Sequence, residues 1–186
     1  MLDAALVRFI EDGYRSTTVV SIAADAGVSG ATIYKTYGGK PGIVRALCEQ
    51  ALAGTRAQSA EVRSDALKAT QPDARQVIEG WGRLVAEIAP RVSPILLLLR
   101  EAADGDPAAA EVLDELEANR LSRMAKNARD LCDAGHLRVG LSAAQARDLL
   151  WLYSSPEFYD LLVRRRGWSV QRYSRYVTEA MTAALL

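Results

Sequence analysis

Thr32, Tyr34, Lys35 and Thr36 place three hydroxyls and one ammonium within five consecutive residues, with no acidic side chain among them. That set suits hydrogen bonding to a nucleic acid. Thr32 offers a hydroxyl to a phosphate and a methyl to a thymine, and Lys35 can reach guanine acceptors or the backbone. Gly30 and Ala31, just ahead, are small enough to let a helix N-terminus approach a groove wall. The backbone N–H groups near Ser29 and Gly30 would favour a phosphate there through the helix dipole. The bland alternative for Thr32 and Lys35 is an exposed helix face that is simply solvated.

These residues need a particular frame. Thr18 can cap a helix whose apolar positions Val19, Ile22, Ala23 and Ala26 recur at helical spacing. Gly27 suits the left-handed residue that ends it, and Val28 can plug the angle to a second helix. Ser29 caps that second helix, with Ile33, Tyr34 and Tyr37 on one face and Gly30, Ala31, Thr32 and Lys35 on the other. The pattern is a helix-turn-helix with a short second helix fit for a major groove.

Thr17-Thr18-Val19, Ile22-Ala23, Ala26-Gly27-Val28-Ser29, Ala31-Thr32-Ile33-Tyr34 and Lys40, with the amphipathic stretch Leu2 to Tyr14 before them, closely resemble the signature of tetracycline-repressor-like (TetR) transcriptional regulators. The resemblance covers roughly residues 1 to 53. It implies a DNA-binding regulator, most often a repressor, that works as a homodimer on a palindromic double-stranded operator and answers to a small-molecule effector. By resemblance Tyr34 gives its hydroxyl to a phosphate while its ring packs beneath, and Lys40 contacts a phosphate. Thr18 combines capping with a phosphate contact. Val20 departs from the family, where a basic residue often stands, and Gly38-Gly39 with Gly42 depart from its polar entry to helix 4, which is expected to loosen that junction. The family's basic arm ahead of helix 1 is expected to lie outside the numbered chain.

Every long segment reads as helix, which gives an all-α chain of about ten helices in two parts. Residues 1–54 are expected to form a three-helix DNA-binding domain with linking helix 4, and residues 55–186 a helical ligand-binding and dimerisation domain. Residues 54–72 turn polar and small and read as a connection, with the second half opening at Pro72. A helix from there is expected to stop at Pro90, and Ser93-Pro94 to start a short apolar one closed by Gly105. Asp106-Pro107 opens the longest helix, to about Ala134. Ser142 with Gln145 forms a capping box, Ser155-Pro156 restarts the chain, and Ser169 caps the last helix. Arg164 to Arg166 read as the charge-favoured C-terminal end of a helix.

Trp81, Leu97, Met124 and Trp151 are candidates to enclose a mainly apolar pocket. Taken singly, each reads more readily as a core residue. Tyr173, Tyr176, Val177, Ala180, Met181 and Ala184 form a wide apolar stripe on the terminal helix. By resemblance that helix and residues 142–155 pair with a second copy as a four-helix bundle. Cys48 and Cys132 sit in helical patterns on apolar faces and read as buried free thiols of a cytoplasmic protein.

Net charge is zero, with six Lys and Arg against five Asp and Glu in residues 1–56, so phosphate affinity must come from local placement of Lys35, Lys40 and Arg45. The longest apolar run, Ile95 to Leu99, falls far short of the ~20 residues that cross a bilayer, so no membrane partner is expected. The rival function classes are a helical small-molecule binder with weak or lost DNA binding, and a helical-bundle enzyme. The second is disfavoured. A bundle metal site wants Glu-x-x-His on each of two helices, and His136 is the single histidine. No metal or cofactor is expected.

Overall fold

The computed structural model describes residues 1–54, 58–70 and 73–186; the expected domain boundary and the Pro72 start of the second half lie outside them. Among the described residues ten α-helices follow in order: α1 (Leu2–Ser16), α2 (Val19–Ala26), α3 (Gly30–Tyr37), α4 (Lys40–Ala53), α5 (Ala60–Thr70), α6 (Ala74–Ala103), α7 (Pro107–Asp133), α8 (Ala143–Tyr153), α9 (Pro156–Tyr159) and α10 (Val170–Leu185). A π-helical turn, Asp160–Arg165, continues α9. No strand occurs among the described residues.

The helix starts follow their caps. Thr18 and Ser21 exchange side-chain and backbone hydrogen bonds at the head of α2, and Ser142 and Gln145 do so at the head of α8. Ser29, Ser155 and Ser169 each accept from the backbone N–H three residues on. Gly27 ends α2 in the left-handed region at φ 65°, which turns the chain into α3.

Two apolar cores share two long helices. The first gathers Ala5 and Phe9 of α1, Ile22 of α2, Ile33 of α3, and Ile43, Val44, Leu47 and Cys48 of α4 around the C-terminal half of α6 and the start of α7. The second gathers Val77, Ile78 and Trp81 of α6 with Leu131 of α7, Leu150 of α8, Tyr159 of α9, and Tyr173, Val177, Met181 and Leu185 of α10. Both α6 and α7 contribute to each core.

Four expectations change. Pro90 does not stop a helix, because α6 runs 30 residues through Pro90 and Pro94 and is longer than the 27 residues of α7. Each proline removes one backbone donor at a cost of ~3 kcal/mol. The helix nonetheless buries Leu84, Ala86, Ala89, Val92, Ile95, Leu96 and Leu99 on both sides of the prolines, and that burial outweighs two missing bonds. The polar connection holds a helix of its own, α5, whose Leu67 packs on α6 where Gly80 leaves room. Cys132 is exposed and only Cys48 is buried. Arg164 and Arg165 close back on Asp160 within the π-helical turn rather than merely ending a helix.

Candidate nucleic-acid interface and ligand cavity

On α3, Ile33 is fully buried while Ala31, Thr32, Tyr34, Lys35 and Thr36 are exposed. This is the division that a helix presented to a partner requires. Ser29 Oγ accepts from Thr32 N at 3.1 Å and lies 2.8 Å from Thr32 Oγ1, so the Thr32 hydroxyl is held against the cap. Thr18 and Ser29 are both exposed at helix starts, with Gly30 partly covered beside Val19. Lys35 has no described partner.

The frame behind α3 is tied by one forked ion pair. Arg8 of α1 donates from Nε to Asp25 Oδ2 at 2.5 Å and from a terminal nitrogen to Oδ1 at 3.1 Å. That guanidinium holds the Asp25 carboxyl below its ordinary range.

Lys40 is placed differently from Lys35. Its ammonium donates to the Tyr14 carbonyl at 2.8 Å and sits 4.3 Å from the centre of the Tyr14 ring. Burial lowers its pKa, and the nearby Asp106 opposes that. Lys40 therefore fastens α4 to the end of α1. The junction into α4 is tight, not loose. A Cβ at Gly42 would stand 1.6 Å from the Tyr37 carbonyl oxygen, so only glycine lets the first turn of α4 dock on the end of α3. Val20 is 76% exposed beside this surface.

Between the two cores lies a cavity of about 620 Å³, within the ~300–1,000 Å³ of small-molecule sites. Its apolar wall includes Trp81, Leu84, Val85, Ile88, Leu150 and Met181, and α4 contributes Arg45, Cys48 and Leu52. Of the four pocket candidates, Trp81 and Met124 line it and Leu97 and Trp151 do not. The Trp151 ring is capped by Arg120, 4.4 Å from the ring centre, and it is Arg120 that borders the cavity. Leu97, predicted from the proline-bounded segment, turns away once α6 runs unbroken.

Sequence reasoning missed the polar rim. Arg120, Arg123, Lys126, Asn127 and Ser64 line the cavity, and Asp65 of α5 pairs with Arg123 and Lys126. The available signal was the i, i+3, i+4 spacing of Arg123, Lys126 and Asn127 on α7. The stripe on α10 is also reassigned. Tyr173, Val177 and Met181 are at most 1% exposed within a single chain, so they belong to its own core, and Gly82 of α6 approaches α10 so closely that a Cβ would meet Thr178 Oγ1 at 2.0 Å. Ala180 and Ala184 are half-buried. Only Tyr176 of the stripe is exposed, and it stacks with Phe158 and meets Trp168 edge-on.

Residues 1–47 match the bacterial regulatory proteins, tetR family. The chain carries the N-terminal domain of the tetR family. Over 50 residues it is 46% identical to the uncharacterized HTH-type transcriptional regulator YvkB of Bacillus subtilis (strain 168). That match spans 27% of this chain and about a quarter, 26%, of the relative. Beyond the tetR-family domain the likeness is one of fold. The fatty acid degradation regulator FadR of Bacillus halodurans superimposes with a TM-score of 0.73 at 18% identity, covering 97% of this chain and 92% of its own. FadR of Bacillus subtilis, solved in complex with stearoyl-CoA, gives 0.72 at 20% identity over 100% and 97%. The TetR-family regulator PfmR of Thermus thermophilus gives 0.63 at 18% over 100% and 98%. The all-α architecture is thus that of solved regulators of this family. Among the described residues no helix is long and apolar enough to cross a membrane, and no cluster of three or more potential metal-ligating side chains occurs.

Proposed function

We propose that this chain is a homodimeric transcriptional regulator, acting as a repressor in the cytoplasm and not as an enzyme, whose operator binding is relieved by a small, mostly apolar molecule. Residues 1–54 serve as the DNA-binding domain and residues 55–186 as the ligand-binding and dimerisation domain. The observation that carries the reading is the position of α4: its first turn is fixed to α1 through Lys40 and to the end of α3 through Gly42, and its later turns line the cavity with Arg45, Cys48 and Leu52. A ligand that prefers one placement of α4 changes the spacing of two recognition helices. Half-sites on B-DNA recur at ~34–36 Å, so a small shift breaks the match. A ligand with equal affinity for both placements would shift nothing.

On α3 the bases are read by Ala31, Thr32, Lys35 and Thr36, with Thr18, Ser29, Gly30 and Tyr34 at the phosphates. The second copy docks around the exposed Tyr176, which packs with the half-buried Phe158 and Trp168.

Gel shifts with DNA from the gene's own promoter test this. Thr32→Ala and Lys35→Ala should each weaken binding by ~1–3 kcal/mol and relax the preference over random DNA. Unchanged discrimination in both variants would remove α3 from the interface, and no binding at low salt would leave a small-molecule binder without DNA function.

A further inference from the structure

Two N–H donors bordering the cavity have no acceptor. Trp81 is 4% exposed, and its indole Nε1 is buried without a hydrogen-bond partner. Arg123 Nε is buried and unpartnered as well, although its terminal nitrogens are engaged. Both side chains line the same space. A buried donor left unmet costs ~1–3 kcal/mol. Two of them around one cavity mark a place where a bound molecule would supply oxygen acceptors.

Beside the cavity three cations, Arg123, Lys126 and Lys68, share the carboxylates of Asp65 and Asp130. Arg123 and Lys126 of α7 both border the cavity and converge on one carboxylate, Asp65 of α5, at 2.9 and 2.5 Å from its Oδ1. Lys68 reaches the same oxygen at 3.0 Å and is shared with Asp130. One carboxylate, Asp65, thus serves two of the cavity cations and part of Lys68, with Glu61 also in the lining. The other cavity arginines with described partners are committed elsewhere, Arg120 to Glu117 and the Trp151 carbonyl, Arg45 to Glu115. Much of the remaining lining, including Trp81, Leu84, Leu150 and Met181, is apolar.

Resting on the reading of this cavity as the effector site, we propose that its ligand is an amphiphile: an apolar tail lies along Trp81, Leu84, Ile88 and Met181, and an anionic oxygen head binds Arg123 and Lys126 in competition with Asp65. The head meets the unpartnered Arg123 Nε, and an oxygen near the head-to-tail junction meets Trp81 Nε1. Charge-assisted bonds of this kind are roughly twice as strong as neutral ones, so head charge decides affinity among ligands with equal tails. Asp65 is one of several links from α5 to α7, beside Lys68 with Asp130 and Asn127 with Ser64, so an entering anion frees the Asp65 carboxylate without releasing α5.

Calorimetry with four probes of equal chain length, each below its micelle-forming concentration, tests the assignment: dodecanoate, dodecyl phosphate, dodecanol and dodecyltrimethylammonium. The two anions should bind about tenfold or more tighter than the alcohol, and the cation no tighter than the alcohol. The ranking of carboxylate against phosphate tells which head the site is shaped for. In Arg123→Gln the anion-to-alcohol ratio should fall toward one. Lys126→Gln, at a more exposed position, makes the same comparison if Arg123→Gln loses its helical circular dichroism. Equal affinity for alcohol and anions, preference for the cation, an unchanged ratio in the folded variants, or binding of none of the four would overturn the head-group site. Operator affinity is read separately. Anion-selective binding that never alters DNA affinity would uphold the site and overturn its regulatory role.

Discussion

The Tyr14 phenol donates to Asp106 Oδ2 at 3.1 Å across 92 positions of sequence, while Asp106 Oδ1 accepts from the backbone N–H of Ala108 and Ala109. One carboxylate therefore caps α7 and holds the end of α1. The Tyr14 ring carries the Lys40 ammonium 4.3 Å from its centre. The start of the cavity helix α7 and the start of α4 thus meet at a single aromatic ring.

Removing each part of this junction should cost different amounts. Tyr14→Phe loses one hydrogen bond and should lower unfolding free energy by ~0.5–1.5 kcal/mol. Asp106→Ala loses the same bond together with the α7 cap, worth a further ~0.5–2 kcal/mol. Urea denaturation followed by helical circular dichroism measures both. Equal losses in the two variants would mean that the capping bonds carry no weight.

The reassigned stripe on α10 leads to a contrast between neighbours. Val177→Glu places a charge at a fully buried site with no described cation to pair it, so the protein should lose more than ~3 kcal/mol and melt early. Tyr176→Glu changes a residue that is 41% exposed in the single chain and should instead split the dimer while helicity is kept. Sedimentation beside thermal melting separates the two effects. An intact dimer in Tyr176→Glu would place the interface on another face.

Short-range signals were fully legible in the sequence. The hydroxyl caps at Thr18, Ser29, Ser142 and Ser169 and the Gly27 turn depend on residues within three or four positions, and all act as the chain suggests. Signals that depend on what a face meets were not legible. The α10 stripe has the width of either a core or an interface, and only the approach of α6 at Gly82 decides between them. Pro90 and Pro94 look like stops until two cores are packed along one helix. At Gly42 the missing side chain suggested slack, whereas the Tyr37 carbonyl fills the space it leaves. The rim of the cavity was invisible because α5 reads as polar connection; its apolar contact, Leu67 on Gly80, is a single residue.

The buried thiol of Cys48 gives the protein a marked sensitivity to alkali. Burial, helped by the charge of Glu49, pushes it up to about 12 from an ordinary 9.0. The unfolded chain therefore releases this proton near pH 9 while the folded chain keeps it. Above that point the folded state binds more protons, so stability is complete below pH 9 and falls as pH rises toward about 12. The slope should approach ~1.4 kcal/mol per pH unit and amount to about 1 kcal/mol between pH 9 and 10. Tyr14, Tyr153, Tyr159 and Tyr173, whose phenols burial also raises from 10.0, begin to add to the loss about one pH unit below that value. Urea midpoints at pH 8, 9 and 10 for the unaltered protein and for Cys48→Ala separate the thiol from the phenols. Cys48→Ala will be less stable throughout, because it leaves a small void beside Ile43 and Val44, but between pH 9 and 10 its free energy should fall by about 1 kcal/mol less than that of the unaltered protein. A variant that declines just as steeply would assign the alkaline loss to the tyrosines and mean that Cys48 ionises at its ordinary pH.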